Sequence, residues 1–523
     1  MSFSVSHTIP AMLSVVLAVT WLNPFAPGPS PIIMPWLVSL VCAAIAAWIV
    51  SRLPLQNLPG LAAKTWLLAA LLSASLALLQ YFGLSYSLSP WINTTGVGEA
   101  FGNLRQRNQF ASLTNIGLLC LFWWLVHDGD MFAARHSRTD SVLLVKPQGN
   151  FPHWTIACSV LLEIGNAASS SRTGLMQLLL IVLLVGWWSR LRQRSTRRLV
   201  QASVFAYVVA SIALPLLIGM ELGAGGILGR ANEHAPSCAS RITLWTNVLH
   251  LIAQKPWFGW GWGELDFAHF ITLYPGARFC DILDNAHNLP LHLAVELGIP
   301  AALLICGCGL WLVWRAHPWR ERDPTRQMAW GVLAMILLHS MLEYPLWYGP
   351  FQMASGICIL LLWTIPVRLS ANSVEEAAPG TENALFSPFG LTVIRYSAIV
   401  IIAAAAYAAW DYHRISQIYL APAQRDEAYR SNTLAKIKNS WLFQNQVRFA
   451  ELTTTALNAE NAAHLNAMAH ELLHFSPEAL VVEKLIDSAA LLGRTEEIEF
   501  FKRRYQAAFA DQYDRWARKH GQP

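Results

Sequence analysis

The sequence predicts an all-α, polytopic integral membrane protein, and three observations support this fold class. Of its 523 residues, 54% are hydrophobic and only 13% are charged, a balance that is unusual in soluble proteins of this size. Apolar runs of about 20 residues, the length needed to cross a bilayer, recur along the chain. The charged residues lie mainly between these runs, so the net charge of +5 reflects membrane topology. We therefore expect the lipid bilayer, and no nucleic acid, as a partner.

About eleven transmembrane helices are expected from the apolar runs. The first run has no Lys or Arg before it and no small-residue cleavage site, so we expect a retained span and no cleaved signal peptide. The runs are 9–26, 31–50, 61–82, 109–126, 151–168, 173–189, 199–221, 288–314, 327–345, 349–366 and 391–411.

Two basic clusters set the expected orientation. Five arginines lie within 190–198 and four within 315–326. Because cytoplasmic loops carry an excess of Lys and Arg, both clusters are expected in the cytoplasm. The N-terminus is then cytoplasmic, and the segments 83–108, 222–287 and 412–523 lie on the opposite side of the membrane.

The composition changes in the C-terminal fifth of the chain. The segment 412–523 contains 14 Lys/Arg and 13 Asp/Glu, and its stretches 462–475 and 477–492 have helical apolar spacing. We therefore predict a transmembrane domain over 1–411, with a large polar loop at 222–287, followed by a soluble helical, TPR-like domain. Two roles for this second domain remain open, namely a stabilising cap and the docking of a partner protein.

Two of the eight cysteines, Cys238 and Cys280, fall in the polar loop, whereas the other six fall in expected spans. In an oxidising compartment the two loop cysteines could pair as a disulfide. Two free thiols are the alternative, because sequence does not give their separation.

His287 is the main candidate for catalysis. It lies in the polar segment Asp284–Pro290, just before an expected helix. An imidazole changes charge near neutral pH, so it can accept a proton from a reacting group.

Four candidate arginines lie on the expected extracytoplasmic side, against the usual distribution of cations. They are Arg105, Arg107, Arg172 and Arg241. A guanidinium binds phosphate with paired hydrogen bonds, and Arg172 follows three serines at a helix start, where exposed amides also bind anions. A diphosphate ligand would account for these arginines, whereas an arginine that merely reaches from a helix end to the interface is the ordinary alternative.

Three other segments have weaker signals. Lys255–Gly263 alternates aromatic residues with glycines, which is typical of the membrane interface and also suits stacking on sugars. Glu343 lies near the end of a span, where a carboxylate either binds a ligand or pairs with an arginine. Asp128–Asp130 resembles the Asp-x-Asp metal motif of glycosyltransferases that use nucleotide sugars, but it falls on the cytoplasmic side. No metal-ligand spacing or nucleotide-binding loop is found, so no metal or other cofactor is expected.

Taken in order, several segments resemble the O-antigen ligase and polymerase superfamily of bacterial inner-membrane glycosyltransferases. They are Arg172–Gly174, Arg241 with Trp245, Lys255–Gly261, His287 with Asn288, and Glu296–Gly298. Arg107–Ala111, His339–Pro345 and the soluble helical C-terminus resemble the PglL-type O-oligosaccharyltransferases within that superfamily.

The resemblance implies a metal-independent, inverting glycosyltransferase with a GT-C-type architecture in the bacterial inner membrane. It implies en bloc transfer of an oligosaccharide from undecaprenyl pyrophosphate to a Ser or Thr hydroxyl of a periplasmic protein such as a pilin. Its active site and C-terminal domain would be periplasmic. The implied site residues are His287 as the catalytic base, Arg172, Arg241, Arg105 and Arg107 at the donor pyrophosphate, and Asn288, Glu343 and Tyr344 in supporting positions.

Alternatives remain within and outside this enzyme class. The acceptor could instead be the lipid A core or another glycan repeat, as for O-antigen ligases and polymerases. A flippase for lipid-linked glycans also needs many spans and cations for a phosphate group. Transporters usually place charged sites near the bilayer midplane and often have two related halves, neither of which is evident here.

Overall fold

The computed structural model describes residues 5–136, 153–221, 226, 227, 229, 237–365 and 387–521. All regular secondary structure among these residues is helical, which confirms the all-α prediction. Parts of the predicted polar loop, at 222–225, 228 and 230–236, lie outside the described residues.

Ten α-helices occupy the described residues up to Leu297. They are α1 (Val5–Leu22), α2 (Ile33–Val50), α3 (Leu58–Tyr81), α4 (Arg107–His136), α5 (His153–Ala168), α6 (Arg172–Trp187), α7 (Arg194–Leu217), α8 (Arg241–Gln254), α9 (Leu265–Ile271) and α10 (Leu289–Leu297). The Asp128–Asp130 pattern lies on the backbone of α4.

Ten more helices follow in the described part of the chain. They are α11 (Ile299–Ala316), α12 (Pro324–Ser340), α13 (Gly349–Thr364), α14 (Pro388–Ser416), α15 (Thr433–Ile437), α16 (Gln444–Thr454), α17 (Ala462–Leu473), α18 (Ala479–Leu491), α19 (Thr495–Ala508) and α20 (Ala510–Lys519).

The chain divides into two compact units. The first lies within Met1–Pro27, Pro31–Glu233 and Val313–Ala405, and the second within Gly28–Ser30, His234–Leu312 and Ala406–Pro523. The residues after position 406 therefore share a unit with the loop that contains His287.

Among the residues that the structure describes, six helical segments are long and apolar enough to cross a membrane, which supports a multi-pass membrane protein. They are Ile33–Val50, Leu55–Tyr81, Arg107–His127, Arg194–Leu217, Ile299–Arg320 and Pro388–Tyr419. Three shorter apolar helices, Thr8–Leu22, Arg172–Trp187 and Gly349–Thr364, match three further predicted runs. The predicted number of eleven spans is not confirmed.

Two of the predicted runs, 151–168 and 327–345, form helices of 16 and 17 residues. Neither helix is among the six candidate spans or the three shorter apolar helices. Both helices are largely buried and carry polar side chains, including Glu163 in α5 and His339 in α12, each 0% exposed. A helix that packs against protein on most sides does not need an apolar surface, so hydropathy describes it poorly.

The run at 288–314, predicted as one span, is divided into α10 and α11. Gly298 lies between them with φ +88°. This backbone conformation ends a helix, and residues other than glycine rarely adopt it. The candidate span therefore begins at Ile299, and α10 is a separate short helix.

The first unit is organised around α4. Of its candidate span, 83% is buried, against 6% for Ile299–Arg320 and 11% for Pro388–Tyr419. Helices pack closely on it through small residues: a Cβ added at Gly117 would lie 2.5 Å from the Cβ of Ala70 in α3. The centre of α4 is therefore in contact with protein, whereas the other two spans have surfaces suited to lipid.

The second unit has two hydrophobic cores. One joins α8, α9 and α10 through residues such as Leu244, Leu265 and Val295. The other joins α16 to α20 and includes Phe270 of α9. Since α9 contributes side chains to both cores, the loop with His287 and the C-terminal helices pack directly on each other.

Candidate active site

Three candidate residues are positioned by capped helix starts. Ser171, Ser240 and Asn288 each accept a hydrogen bond from the backbone N–H three residues later, at 2.9, 3.1 and 3.1 Å. Such caps satisfy amides that a helix N-terminus would otherwise leave unpaired. Arg172 and Arg241 directly follow two of these capping residues, Ser171 and Ser240. Each arginine is therefore the first residue of its helix, at the partly positive N-terminal end.

His287 precedes the cap of α10 and is half-buried. Its φ is +51°, and its backbone N–H donates to Oδ1 of Asn285 at 2.9 Å. Left-handed backbone at a residue other than glycine is uncommon and persists where the surroundings fix it. Trp245 of α8 donates from Nε1 to the carbonyl oxygen of Ala286 at 3.1 Å, so the helix that begins at Arg241 is bonded to the histidine segment.

Asp284 interacts electrostatically with His287. Desolvation raises the pKa of the Asp284 carboxyl, and the charge of His287 acts in the opposite direction. Asp284 is thus an acidic neighbour of His287 in this loop.

Two nearby histidines, His269 of α9 and His292 of α10, are buried and structural. His269 contacts the hydroxyl of Tyr274 at 2.8 Å and the carbonyl oxygen of Phe279 at 3.2 Å, and burial lowers its pKa to about 3. Burial, with the charge of His287, also lowers the pKa of His292 to about 4. Both imidazoles are therefore neutral at physiological pH.

His292 contacts Glu296 one helical turn later, with 3.5 Å between Nε2 and Oε2. Burial raises the pKa of Glu296 to about 7 and that of nearby Asp266 also to about 7. Because burial favours the neutral forms of His292 and Glu296, their contact is better described as a polar contact than as an ion pair.

The segment Lys255–Gly263 packs against the end of α10, a role that the sequence did not reveal. Trp260 and Gly261 donate their backbone N–H groups to the carbonyl oxygens of Val295 and Glu296, at 2.9 and 3.0 Å. The side chains of Trp257 and Phe258 remain 71% and 90% exposed.

Two glycines permit this contact. A Cβ at Gly259 would lie 2.3 Å from the carbonyl oxygen of Glu296, and one at Gly298 would lie 2.2 Å from that of Trp257. Both glycines also have positive φ, at +68° and +88°. The glycine-aromatic segment Lys255–Gly263 and the motif Glu296–Gly298 therefore contact each other through their backbones.

The C-terminal helices contact the loop through polar groups as well. His474, directly after α17, contacts a carboxylate oxygen of Glu264 at 2.7 Å and stacks on Phe267 with 3.8 Å between ring centroids. Arg504 of α19 donates from Nε to the carbonyl oxygen of Ile271 at 2.7 Å.

Cys238 and Cys280 form a disulfide in the structure, with 5.2 Å between their Cα atoms. It joins the residues before α8 to the segment that leads to His287 and closes a sequence separation of 42 residues.

In the first unit, Ser171 is part of a short chain of polar contacts. Its hydroxyl donates to Oδ1 of Asn108 at 2.6 Å, and Nδ2 of Asn108 donates to Oε1 of Glu343 at 3.2 Å. Glu343 is only 8% exposed. These hydrogen bonds link the start of α4 and the residues after α12 to the N-terminus of α6, where Arg172 lies. The neighbouring Tyr344 stacks on Tyr348, with 5.8 Å between ring centroids.

Arg105 and Arg107 have different partners. Arg105 has φ +60° and donates from Nη2 to the carbonyl oxygen of Pro24. Arg107 pairs with Glu99, which also accepts a hydrogen bond from Thr95 at 2.6 Å. The Thr95 hydrogen bond and the Arg107 charge lower the pKa of Glu99. Arg107 is thus already matched by a carboxylate at the protein surface.

The candidate residues fall into two groups by unit. The first unit contains Arg105, Arg107, Arg172, Glu343 and Tyr344, and the second contains Arg241, His287, Asn288 and the disulfide. Within the described ranges, no group of three or more His, Cys, Asp or Glu side chains is arranged to hold a metal ion. The second group offers a base with an acidic neighbour, and both groups offer guanidiniums at helix starts.

Three family models match successive parts of the chain. Residues 100–125 match Protein glycosylation ligase, residues 157–306 match O-Antigen ligase, and residues 327–522 match Virulence factor membrane-bound polymerase, C-terminal. Arg172, Arg241 and His287 all fall in the second match.

Two curated relatives come from Acinetobacter baylyi. A general O-oligosaccharyltransferase is 24% identical over 315 residues, which cover 58% of this chain and 50% of that protein. A ComP-specific O-oligosaccharyltransferase is 23% identical over 264 residues, covering 50% and 43%. The chain thus spans about half the length of the curated relatives it matches.

The matches follow one another along the chain and agree with the ordered motifs and the helical membrane architecture. The chain is therefore similar to the O-antigen ligase and polymerase superfamily and, within it, to the PglL-type protein glycosylation ligases and O-oligosaccharyltransferases.

Proposed function

We propose that the chain transfers an oligosaccharide en bloc from undecaprenyl pyrophosphate to a Ser or Thr hydroxyl of a periplasmic protein such as a pilin. The observation that carries this proposal is the setting of His287. It is half-buried, it interacts with Asp284, and it precedes a capped helix in the unit that also contains the C-terminal helices.

The chemistry requires a base, because a Ser or Thr hydroxyl is a weak nucleophile at neutral pH. His287 accepts the hydroxyl proton while the oxygen attacks the anomeric carbon of the first sugar. The bond from that carbon to the pyrophosphate oxygen breaks, and undecaprenyl pyrophosphate leaves. Attack on the face opposite the leaving group inverts the anomeric configuration.

The leaving pyrophosphate gains negative charge, which guanidiniums stabilise through charge-assisted hydrogen bonds. Arg172 and Arg241 are assigned this role because both begin helices, whose N-terminal amides add to the favourable field. Arg105 and Arg107 are secondary candidates, with Asn288, Glu343 and Tyr344 in support. The donor is already activated, so the proposed transfer is metal-independent.

A protein acceptor is favoured by the packing of the second unit. The helices α16–α20 share α9 with the loop that contains His287. A folded acceptor bound to these helices would be held by the same unit that carries the base. In this proposal the protein lies in the inner membrane, with the loop and the C-terminal helices in the periplasm and the N-terminus in the cytoplasm.

Two matched families favour a second candidate within the same chemistry. Their descriptions, O-Antigen ligase and Virulence factor membrane-bound polymerase, suggest transfer to the lipid A core or to another glycan repeat. All three reactions would use the same base and donor, so they differ only in the acceptor hydroxyl.

The test of the base is a comparison of two histidine variants in cells that make one lipid-linked glycan and a pilin-like acceptor. His287→Ala should lower glycosylation by about 10²–10⁴-fold, the usual contribution of a general base. His250→Ala is the matched control, because His250 lies half-buried on α8 of the same loop. Intact-protein mass spectrometry measures the glycosylated fraction, and full glycosylation by His287→Ala would refute the assignment.

The same strain distinguishes the acceptors. Sugar on Ser or Thr of the acceptor protein supports protein glycosylation, whereas sugar only on lipopolysaccharide, or only lengthened lipid-linked glycan, supports ligase or polymerase activity. Movement of donor across vesicles without its consumption would indicate a transporter.

A further inference from the structure

A polar cavity of about 340 Å³ lies in the first unit, next to the starts of α2, α4 and α13. Its walls combine amide side chains, one guanidinium and four aromatic rings. The residues used below are Arg105, Gln106, Gln109, Trp36, Tyr344 and Tyr348.

A buried amide in this cavity has no partner. Gln109 is 2% exposed, and its Nε2 has no hydrogen-bond partner among the described residues. Oε1 of Gln106 is also buried and has no hydrogen-bond partner among the described residues. Buried polar atoms are nearly always hydrogen-bonded, because an unmet donor costs about 1–3 kcal/mol. Both residues line the cavity, so a ligand with several hydroxyl or phosphate oxygens would supply the missing hydrogen-bond partners after small side-chain rotations.

The other walls suit a sugar phosphate. Tyr344 and Tyr348 stack with an interplanar angle of 22°, and Trp36 adds a third ring, so the walls combine aromatic surface with amide groups. Binding sites for small polar molecules have this composition of aromatic surface and a few placed polar groups. The guanidinium of Arg105 supplies the positive charge that a phosphate group requires.

An apolar groove of about 360 Å³ adjoins the cavity, and the two share Trp36 and Gly349 in their walls. The groove lies between α1, α2 and α13 and follows α2 as far as Val50. The fourteen steps of helix from Trp36 to Val50 correspond to about 21 Å at 1.5 Å per residue. A long hydrocarbon chain could therefore extend from the polar cavity along the membrane-spanning part of the unit.

We propose that the groove and the cavity bind one isoprenoid-linked sugar phosphate, with the isoprenoid chain in the groove, the phosphate at Arg105 and the first sugar against Tyr344 and Tyr348. This site rests on the proposed function in that it identifies the ligand with the glycan donor. It adds Gln109, Gln106 and the walls of the groove to the donor-binding residues.

The groove is tested by filling it with a side chain. Gly356 lines the groove, and a Cβ there would meet no atom within 4 Å, so Gly356→Leu adds volume without a clash. Gly307→Leu is the matched control, because Gly307 is also in a helix, exposed and open around its Cβ. With the full chain in nanodiscs, Gly356→Leu should raise the Kd for undecaprenyl phosphate about tenfold. The control should leave the Kd unchanged, and an unchanged Kd for Gly356→Leu as well would overturn the proposal.

Ala47→Leu, from the α2 side of the same groove, provides a second filling variant if Gly356→Leu does not fold. An excess of phosphatidylglycerol serves as competitor in the same assay. Displacement of undecaprenyl phosphate by the phospholipid would assign the groove to bilayer lipids and reject the isoprenoid site.

The polar cavity is tested with Gln109→Leu. This variant should weaken binding of the sugar-bearing undecaprenyl diphosphate about tenfold but leave undecaprenyl phosphate binding nearly unchanged. Equal binding of the sugar-bearing lipid by wild type and variant would refute the sugar subsite.

These outcomes are independent of the transfer reaction. If Gly356→Leu weakens lipid binding but the wild type glycosylates no protein, the site stands and the proposed function fails. If protein is glycosylated and Gly356→Leu binds lipid normally, the proposed function stands and the site fails.

Discussion

His269, His287 and His292 lie in one compact unit but differ in their surroundings. Burial keeps His269 and His292 neutral, with pKa values of about 3 and 4, whereas His287 is half-buried beside Asp284. Only an accessible imidazole can exchange a proton with a substrate, so the environment separates the candidate base from two structural histidines.

Glu296 provides a test of the electrostatics around this base. Its folded pKa of about 7 lies above its ordinary value of 4.5, so the folded chain keeps a proton that the unfolded chain loses. Stability should therefore fall as pH rises from about 4.5 to about 7 and stay level above that. Glu296→Gln removes this titration. The variant should raise the free energy of unfolding at pH 8 by about 1–3 kcal/mol, and by much less at pH 5.

Thermal unfolding of the detergent-purified chain at the two pH values measures the difference. Glu460→Gln, at an exposed carboxylate, is the control and should shift the midpoint at neither pH. A Glu296→Gln effect of equal size at pH 5 and pH 8 would contradict the raised pKa.

Sequence was sufficient to nominate His287 but not the groups around it. The imidazole lies in a recognisable local motif, and its family resemblance depends on neighbours in the chain. Asp266 and Glu296 owe their raised pKa values to burial, which arises when the Lys255–Gly263 segment and α9 fold against α10. Such contacts between distant segments leave no periodic signal.

At the scale of elements, the backbone contact between Lys255–Gly263 and the end of α10 positions the helix that follows His287. Hydropathy merged α10 with α11, because both are apolar and one glycine separates them. The aromatic residues suggested the membrane interface or a sugar, and Trp257 and Phe258 do remain exposed. The glycines beside them serve the backbone contact.

Gly298→Ala tests this contact. The new Cβ would meet the carbonyl oxygen of Trp257 at 2.2 Å, and φ +88° is unfavourable for alanine. We expect a loss of stability of about 1–3 kcal/mol and a clear loss of transfer, because α10 must move.

Gly307→Ala in α11 is the control, since a Cβ there meets nothing within 4 Å. Thermal unfolding and glycosylation are measured on both variants. A Gly298→Ala protein with the same unfolding midpoint and activity as the control would show that the contact does not position α10.

For the whole molecule, composition was a good guide to membrane residence and a poor guide to the number of spans. The helices that face lipid are apolar along their length, so hydropathy finds them. The interior helices α5 and α12 contain buried polar groups such as Glu163 and His339, because their neighbours are protein. The length of each of these two helices and its position in the membrane depend on packing against the neighbouring helices, which hydropathy does not describe.

The disulfide gives a prediction about the chain as a whole. Denatured protein labelled without reductant should react at six of its eight cysteines, and with reductant at all eight. The double variant Cys238→Ser/Cys280→Ser should react at six in both conditions and lose about 4 kcal/mol of stability, as a 42-residue loop predicts. Mass spectrometry counts the labels, and eight labels on oxidised wild type would exclude the pairing.

The two cores that meet at α9 also limit how acceptor preference could be exchanged between related enzymes. A chimera cut at position 412 would pair foreign C-terminal helices with a native α9, and Phe270, Glu264 and Ile271 would lose matched neighbours. A chimera that exchanges 237–298 together with 406–521 keeps both cores intact. The part of the chain that can be exchanged without dividing a core is therefore discontinuous in sequence, and the histidine loop must be exchanged together with the C-terminal helices when the proposed acceptor docking is tested.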